Sequence, residues 1–323
     1  MLSLTLLGIS LFHTTENSRF VSRINQSNPI WQVIYHQPGL QGITTVLKLR
    51  DRPLGDILLV NGKGMTVKAT DTKMMAHLPM LVHPNPLNSL VICFGMGTTY
   101  RSAISYGGQV TVVELVKEVF DAFDYFYADA KYVRAYPKGH MIVNDGRNFL
   151  KLTKEHFDVI TVDPPPPIDA AGVTHLYSKE FLELARDRLA EGGIMAHWIP
   201  FPSSSGGVND WNTFNMLLAT FAEVYPYRMQ LPGWHKIGMH LLGSMQPFQG
   251  SEDYFQQRFA TVPITVTNDL NEWDQVPLSY FKLKPLESDN QMLLNTDDHP
   301  YLEFNLLRML QTSAPKSYPF VYW

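Results

Sequence analysis

The sequence predicts an α/β protein: a Rossmann-like, seven-stranded sheet of the methyltransferase type, preceded by a small antiparallel β-hairpin domain. Three observations support this prediction. Residues before about position 85 form β-branched runs divided by turn residues, apolar runs alternate with helical stretches up to about position 200, and carboxylates follow several of those runs. We therefore place an N-terminal segment and hairpin domain at residues 1–80 and a Rossmann-like domain at residues 81–323.

The first of these regions has the pattern of short hairpins. Strands are predicted at Gly42–Leu49, Ile57–Val60 and Met65–Ala69. A turn at Asp51–Asp56 separates the first two, and Asn61-Gly62 separates the last two. Asn-Gly between apolar runs is typical of a two-residue hairpin turn, so a small antiparallel sheet is expected in this region.

The chain begins with an apolar segment, Met1–Phe12. This segment is shorter than the roughly 20 residues that cross a bilayer, and it lacks the basic region and cleavage site of a secretory signal. We interpret it as a strand or docking segment. The alternative is that it ends an upstream membrane region outside this chain, which would make the protein membrane-associated.

The middle of the chain alternates between short apolar runs and helical stretches, which is typical of buried parallel strands covered by helices. The predicted strands are Leu90–Phe94, Val110–Val113, Met141–Val143, Val159–Val162 and Ile194–Trp198. Helices are predicted at Val116–Tyr127 and Lys179–Leu189, the second with Gly192-Gly193 as its C-terminal cap.

The last third is less regular. Helices are predicted at Trp211–Val224 and Asp253–Phe259, and late strands of the same sheet at Ala222–Gln230 and Lys236–Gly243. The remainder is expected to be rich in loops. Ser203–Gly207 lacks the lysine and the helix entry of a phosphate-binding P-loop, so we interpret it as a lid or linker.

Polar groups follow four predicted strands, at the edge where parallel strands end. A turn with Gly95 and Gly97 follows the first strand, Glu114 ends the second, Asp145 the third and Asp163 the fourth. Glycines let the backbone approach a ligand, and a carboxylate after the second strand can bind ribose hydroxyls. The set predicts an adenosine site that lacks a pyrophosphate-binding loop, as expected for S-adenosylmethionine-type ligands.

Composition narrows the functional classes. A net charge of −4 argues against nucleic-acid binding. The single cysteine, Cys93, excludes an intrachain disulfide and fits a cytoplasmic protein.

No metal is expected, because the histidines (His235 and His240 among them) lack the spacing of metal ligands. His77 is interpreted as a packed, hydrogen-bonded group. A charged fraction of 17%, against a typical ~25%, predicts interfacial surface and a homodimer or larger homo-oligomer.

Several motifs between Gln41 and Pro200 resemble those of the spermidine synthase (polyamine aminopropyltransferase) family. They are Met75–Met80 with His83–Pro86, Gly95–Arg101, the Glu114 strand, Asn144–Arg147, Phe157–Asp163 and Leu176–Phe181. The later run Asn295–Glu303 is similar to a bacterial spermidine-synthase-like subgroup that is often fused behind membrane-spanning helices.

The resemblance implies transfer of an aminopropyl-type group from decarboxylated S-adenosylmethionine, or of an alkyl group from S-adenosylmethionine, to an amine acceptor. It implies that Asp163 orients the attacking amine and helps to deprotonate it, and that Tyr177 lies where the family closes over the site. The implied co-substrate-binding residues are Gln41, Gly95, Gly97, Glu114, Asp145, Gly146 and Asp163.

The chain also departs from the family pattern. Met96 replaces an aspartate that pairs with the aminopropyl ammonium, Asp71-Thr72-Lys73 replaces a Tyr-His-Glu triplet, Pro166 replaces the second aspartate of D-x-x-D, and Met65 replaces a glutamine. The nucleoside half of the site is therefore retained and the polyamine half largely is not. Two alternatives stay open: an S-adenosylmethionine-dependent methyltransferase, or another enzyme consuming that compound, on the same fold, and a nucleoside-binding regulatory domain of a membrane protein.

Overall fold

A computed structural model describes residues 19, 21–23, 25–50, 55–165, 168, 172–202, 210–288 and 292–303. The apolar start Met1–Phe12, the Ser203–Gly207 run and Pro166 lie outside the described residues. In the described part, the chain forms an antiparallel four-stranded sheet and a mixed sheet of eight strands.

The small sheet contains β1 (Trp31–Pro38), β2 (Ile43–Leu49), β3 (Ile57–Val60) and β4 (Lys63–Val67), in that order. Between β3 and β4, Asn61 has a φ of 53° and Gly62 a φ of 76°. Both values are positive, as a two-residue type I′ turn requires, so the predicted Asn-Gly hairpin is confirmed. The sequence did not resolve β1 as a separate strand.

The large sheet has the order β12-β10-β11-β9-β8-β5-β6-β7. Strands β7, β6, β5, β8 and β9 are parallel, whereas β11, β10 and β12 continue the sheet in antiparallel pairings. The strands are β5 (Asn88–Ile92), β6 (Gln109–Glu114), β7 (Gly139–Val143), β8 (Phe157–Val162), β9 (Leu189–Pro200), β10 (Tyr227–Pro232), β11 (Gly238–Ser244) and β12 (Lys284–Pro285). This confirms the α/β fold class; the sheet carries one short strand, β12, beyond the seven predicted.

Helices cover both faces of this sheet. They are α1 (Thr70–Val82), α2 (Thr98–Ile104), α3 (Lys117–Ala122), α4 (Ala130–Arg134), α5 (Gly146–Leu152), α6 (Lys179–Arg186), α7 (Trp211–Val224), α8 (Glu252–Phe259) and α9 (Ile264–Leu270). Short 3₁₀ turns occupy Phe123–Tyr125, Thr174–Tyr177 and Leu278–Tyr280. Within the described ranges, no helix is long and apolar enough to cross a membrane. The division of the chain at residue 80 stays a prediction; that residue lies inside α1.

Two predicted elements are wrong at their ends. Gly192-Gly193 does not cap a helix, because α6 ends at Arg186 and β9 begins at Leu189. The glycines form an irregularity in β9, where the pairing with β8 shifts and Gly192 has a φ of 71°. The predicted strand Ala222–Gln230 begins instead at Tyr227, because α7 continues through Val224.

The crevice of the fold lies where the chain changes direction across the sheet. From β5 the chain passes through α2 to its neighbour β6, whereas from β7 it passes through α5 to β8, on the other side of β5. The helices that follow β5 and β8 therefore separate above this edge. Ligands of open α/β sheets bind in the crevice outside the carboxyl ends of such strands.

Candidate active site

The glycine turn after β5 forms one wall of this crevice. Cys93, Gly95 and Gly97 have φ values of 71°, 53° and 78°. A Cβ on Gly97 would lie 2.5 Å from the ring of Phe123 and 2.7 Å from that of Phe94, so this position needs glycine both for its backbone and for its packing. Cys93 adopts a conformation that is uncommon for a non-glycine residue. The turn is therefore held in one tightly packed shape.

Glu114, the last residue of β6, is bonded to that turn. Its Oε2 accepts the Phe94 N–H at 2.9 Å and its Oε1 accepts the Val116 N–H at 2.9 Å. Burial raises the pKa of Glu114, and these backbone N–H groups act against that rise. The carboxylate is thus fixed by backbone donors of the glycine turn and of the segment after β6.

Asp145 and Gly146 form the start of α5 beyond β7. The exposed Asp145 carboxylate caps the helix by accepting the Asn148 N–H at 2.7 Å. Gly146 is buried against Ile92, and a Cβ there would collide with the Ile92 side chain. The glycine therefore allows α5 to begin directly beside β5.

Asp163 follows β8 on the other side of β5. Its N–H donates to the Ile92 carbonyl at 3.2 Å. Burial raises the pKa of Asp163 to about 7, with the hydrogen bond from the Thr99 side chain acting in the opposite direction. A carboxyl group with such a pKa exchanges a proton near neutrality, as a general base requires.

Cys93 shows that the predicted carboxylates converge. Burial raises the pKa of its thiol well above the usual range, and the charges of Glu114, Asp163 and Asp145 raise it further. The contacts agree: Glu114 accepts the Phe94 N–H, the Asp163 N–H donates to the Ile92 carbonyl, and Gly146 packs on Ile92, so all three carboxylates adjoin the residues that flank Cys93. The structure thus brings together the strand-end groups that the sequence predicts.

The two remaining predicted site residues, Tyr177 and Gln41, differ in their surroundings. Tyr177 is buried, its hydroxyl donates to the Trp198 carbonyl at 3.2 Å, and its pKa is raised by burial and by the charge of Asp163. Gln41 is exposed in the turn between β1 and β2. That turn lies against α3, because a Cβ on Gly39 would collide with the Glu118 carboxylate.

Sequence reasoning missed two apolar side chains at the same edge. Leu115, directly after Glu114, is 45% exposed, and Val143, at the end of β7, is 50% exposed. Both lie at strand ends close to predicted site carboxylates, and this position in the sequence could have identified them. They expose apolar surface at this edge, of the kind on which a flat ring packs.

Asp71, at the first turn of α1, is buried and already paired. It accepts a hydrogen bond from the His235 N–H at 3.2 Å and another from the His235 ring. Gly233 packs so closely that a Cβ there would collide with the Asp71 carboxylate. Met96 is 1% exposed within an aromatic core cluster, so the glycine turn presents no carboxylate at that position.

Lys73, two residues further along α1, is fully buried in a group of charges. Its ammonium lies 3.1 Å from Asp269 and 2.5 Å from Glu272, and 4.3 Å from the ring centroid of Trp273. Arg101 lies 2.7 Å from each of the same two carboxylates.

The Asp269 carboxylate completes this group. It accepts hydrogen bonds from Ser102 at 2.6 Å and from His77 at 2.8 Å. Burial alone would raise the pKa of Asp269, but His77 and Lys73 hold it well below the usual range. We call the set Lys73, His77, Arg101, Ser102, Asp269 and Glu272 the α1 cluster. Among the described residues, no group of three or more His, Cys, Asp or Glu side chains has the arrangement of a metal site.

Comparison with known proteins decides the family. A family model, the spermine/spermidine synthase domain, matches residues 68–198. The polyamine aminopropyltransferase of Sulfurisphaera tokodaii is 30% identical over 213 residues, which cover 60% of this chain and 68% of that protein. The chain belongs to the spermidine synthase family.

A second relative agrees with this membership, and solved structures share the fold. The spermidine synthase of Dictyostelium discoideum is 28% identical over 189 residues, which cover 56% of this chain and 64% of that protein. The chain thus spans just under two thirds of that relative. The crystal structure of spermidine synthase from Thermotoga maritima has a TM-score of 0.58 at 22% identity, covering 74% of this chain and 88% of the other. A spermidine synthase in complex with the transition-state analogue AdoDATO has a TM-score of 0.60 at 21% identity, with the same coverage. These structures share the fold.

Proposed function

We propose that the protein transfers an aminopropyl group from decarboxylated S-adenosylmethionine to an amine acceptor. The observation that carries the proposal is Asp163, a partly buried carboxyl group with a pKa of about 7 at the crevice between β5 and β8. Membership of a family whose relatives are named polyamine aminopropyltransferases supports it. A sulfonium is already an activated leaving group, so the protein mainly has to position a neutral amine behind the adjacent carbon.

The proposed reaction needs one base. The amine lone pair forms a bond to the propyl carbon, the carbon–sulfur bond breaks, and its electrons neutralise the sulfonium to give 5′-methylthioadenosine. The proton lost by the amine passes to the Asp163 carboxylate. A carboxylate within hydrogen-bond reach also keeps the lone pair directed at the carbon.

The nucleoside is assigned to the strand ends. Glu114 would accept hydrogen bonds from the two ribose hydroxyls, and Asp145 would accept one from the adenine amino group. Gly95, Gly97 and Gly146 let the backbone come close to the ligand. Gln41 would approach the nucleoside from the β1–β2 turn. The ring of Tyr177, rather than its hydroxyl, would line the site beside Asp163, because that hydroxyl is bonded to Trp198.

One observation favours a second candidate, methyl transfer from S-adenosylmethionine. Met96 is buried, so the turn offers no carboxylate to the ammonium of an aminopropyl chain. Incubation of the protein with each co-substrate and a panel of amines, followed by mass spectrometry, separates the two reactions. Release of 5′-methylthioadenosine indicates aminopropyl transfer and S-adenosylhomocysteine indicates methyl transfer. Tight binding of either compound without any product would favour a regulatory nucleoside-binding domain instead.

A further inference from the structure

Thr99 is a buried threonine beside the proposed base, Asp163. It is the second residue of α2, follows the glycine turn, and is 1% exposed. Its hydroxyl donates to the Thr72 carbonyl of α1 at 3.1 Å. The same side chain is hydrogen-bonded to the Asp163 carboxyl group. Thr99 therefore connects Asp163 to α1, and its role in transfer rests on the proposed function.

The geometry of β8 directs the Asp163 side chain toward α1. The Asp163 N–H donates to the Ile92 carbonyl at 3.2 Å, so the pairing of β8 with β5 extends to this residue. Two residues earlier, the Thr161 hydroxyl donates to the Met75 carbonyl of α1 at 2.7 Å. Since successive side chains of a strand point to opposite faces, Asp163 lies on the same face as Thr161, which α1 covers.

The contacts of the two threonines with α1 follow the same direction. Met75, the partner of Thr161, lies three residues after Thr72, the partner of Thr99, which is about one turn of a helix. Asp163 lies two residues after Thr161 along the chain. Moving from Thr161 to Asp163 therefore corresponds to moving about one turn toward the start of α1, where the Thr99 hydroxyl lies. This placement agrees with the hydrogen bond between Thr99 and Asp163.

The Thr99 hydroxyl has a single proton and two acceptors within reach, the Thr72 carbonyl and the Asp163 carboxylate. When Asp163 is ionised, the Thr99 O–H turns to the carboxylate, and the Thr72 carbonyl keeps its hydrogen bond within α1. When Asp163 is protonated, its own O–H donates to the Thr99 oxygen, and the Thr99 O–H donates to the Thr72 carbonyl. Both protonation states of Asp163 are thus hydrogen-bonded without movement of a heavy atom.

The other titratable groups around Asp163 are uncharged near neutrality or bonded elsewhere. Burial raises the pKa of Cys93 and of Tyr177 well above the usual range, and the charge of Asp163 raises both further. Burial lowers the pKa of His197, on β9, to about 4. The charged side chains of the surrounding strand ends and helices have other partners: Glu114 and Asp145 with backbone N–H groups, Asp71 with His235, and Lys73, His77 and Arg101 with Asp269. Among the described residues, the hydrogen bond from Thr99 is thus the interaction that opposes the effect of burial on the pKa of Asp163.

We propose that Thr99 is a positioning residue for the transfer reaction: its hydroxyl holds the ionised Asp163 carboxylate in place, and its proton turns to the Thr72 carbonyl when Asp163 takes up the proton of the acceptor amine. The amine proton stays on Asp163, and the Thr99 proton only changes its acceptor, so the protons balance. Thr99 acts on the reaction through Asp163 and does not touch the reacting atoms.

The first measurement is thermal unfolding of the full chain without ligand, at pH 5 and at pH 9. Thr99→Val keeps the size of the side chain and removes the hydroxyl. Because the lost hydrogen bond favours the ionised carboxylate, the decrease in Tm is expected to be about 2 °C larger at pH 9 than at pH 5. In the Asp163→Asn background, the effect of Thr99→Val on Tm should be the same at both pH values.

Thr161→Val is the matched control. It also removes a buried threonine hydroxyl that donates to a carbonyl of α1, but this hydroxyl is bonded to Met75. Its effect on Tm is expected to be independent of pH. Thr99→Ser retains the hydroxyl and removes a methyl group, so it should lower Tm equally at pH 5 and pH 9.

The second measurement is the rate of 5′-methylthioadenosine release from decarboxylated S-adenosylmethionine, with the amine of the panel that the wild-type protein uses fastest. The midpoint of the rate increase, about pH 7 in the wild type, is expected to move up by about one pH unit in Thr99→Val. The rate should therefore fall about fivefold at pH 7 and less than about twofold at pH 9. Thr99→Ser and Thr161→Val should keep the midpoint of the wild type.

Two kinds of result would overturn the inference. One is a Thr99→Val effect on Tm that is equal at pH 5 and pH 9, or whose pH dependence persists in the Asp163→Asn background. The other is a Thr99→Val rate that is lower by the same factor at every pH, since loss of packing alone would produce it. Failure of the wild-type protein to release 5′-methylthioadenosine would overturn the proposed function and the part of Thr99 in transfer, whereas the unfolding measurements would still decide whether Thr99 holds the ionised carboxylate.

Discussion

The two sides of the crevice use their charges differently. At the strand ends, Glu114 and Asp145 are bonded to backbone N–H groups, and no basic side chain of the described residues forms an ion pair with either. On the side of α1, Asp71 is bonded to His235, and Lys73 lies between two carboxylates. Among the described residues, Glu114 and Asp145 thus lack a basic side-chain partner, whereas the carboxylates on the α1 side are hydrogen-bonded or paired.

This difference bears on the acceptor. A diamine that entered on the α1 side would have to displace His235 from Asp71 or compete with Lys73 for Asp269. Breaking a buried ion pair leaves an uncompensated charge, which costs several kcal/mol. The contrast therefore favours an amine that does not need a free carboxylate from α1. Four variants test this contrast, from the largest expected effect to the smallest.

Asp163→Asn tests the group between the two sides. We expect the transfer rate to fall about 10²- to 10⁴-fold, the usual contribution of a general base, and the affinity for 5′-methylthioadenosine to fall far less than the rate. Since the pKa of Asp163 is about 7, the wild-type rate should rise with pH up to about 7 and then level off. A wild-type rate that does not respond to pH in this range would remove Asp163 from the role of base.

The same variant has an expected effect on stability. The folded protein keeps a proton on Asp163 up to about pH 7, whereas the unfolded chain releases it near pH 4, so ionisation destabilises the fold as pH rises between these values. Asn has no such ionisation. Above pH 7 the variant should therefore melt at a higher temperature than the wild type, and below pH 4 the difference should disappear.

Lys73→Met tests the α1 side. Lys73 is fully buried, and removing its charge leaves Asp269 and Glu272 with only part of their counter-charge. We expect the free energy of unfolding to fall by about 3 kcal/mol, measured by urea denaturation, without a change in nucleoside affinity. Lys117→Met is the matched control, because the Lys117–Asp121 pair is exposed and should contribute little. Equal effects of the two substitutions would contradict the assignment of a structural role to the α1 cluster.

Glu114→Gln tests the strand-end side. The amide keeps the size of the carboxylate but loses its charge and one acceptor oxygen. The affinity for 5′-methylthioadenosine should fall about 10- to 100-fold, as expected for a hydrogen bond to a charged group. Glu155→Gln, an exposed position that precedes β8 at the opposite end of the sheet, should have no effect. Unchanged affinity in Glu114→Gln would place the ribose elsewhere.

Tyr177→Phe has the smallest expected effect. The substitution keeps the ring and removes the hydrogen bond to the Trp198 carbonyl, which contributes about 1 kcal/mol and corresponds to about 2–4 °C in Tm. The transfer rate should change by less than about tenfold. A loss of a hundredfold or more would show that the hydroxyl itself takes part in the reaction.

The same contrast explains what the sequence could predict. Glu114, Asp145 and Asp163 each follow a short apolar run, and parallel strands end at one edge, so their convergence follows from local patterns alone. The Asn61-Gly62 turn could likewise be predicted from two adjacent residues and the apolar runs on either side of them. The wrong prediction for Gly192-Gly193 also came from a local pattern. The same dipeptide can end a helix or interrupt a strand, and only the pairing of β8 with β9 distinguishes the two cases.

The α1 side could not be predicted in this way. Lys73 and Asp269 are separated by 196 residues, and Asp71 and His235 by 164. Both partners lie in the least regular third of the chain, and α9, which carries Asp269, falls in a region expected to be loops. No short-range pattern connects such residues, because their contact depends on how the whole last third packs on α1.

The α1 cluster also sets the smallest part of the chain that can stand alone. The family model matches residues 68–198, which include Lys73, His77 and Arg101, but their carboxylate partners Asp269 and Glu272 lie outside the matched segment. A fragment ending at residue 198 would bury Lys73 without its counter-charges. The portion of the chain that identifies the family is therefore not a module that can be excised: its stability depends on residues about 70 positions beyond its end.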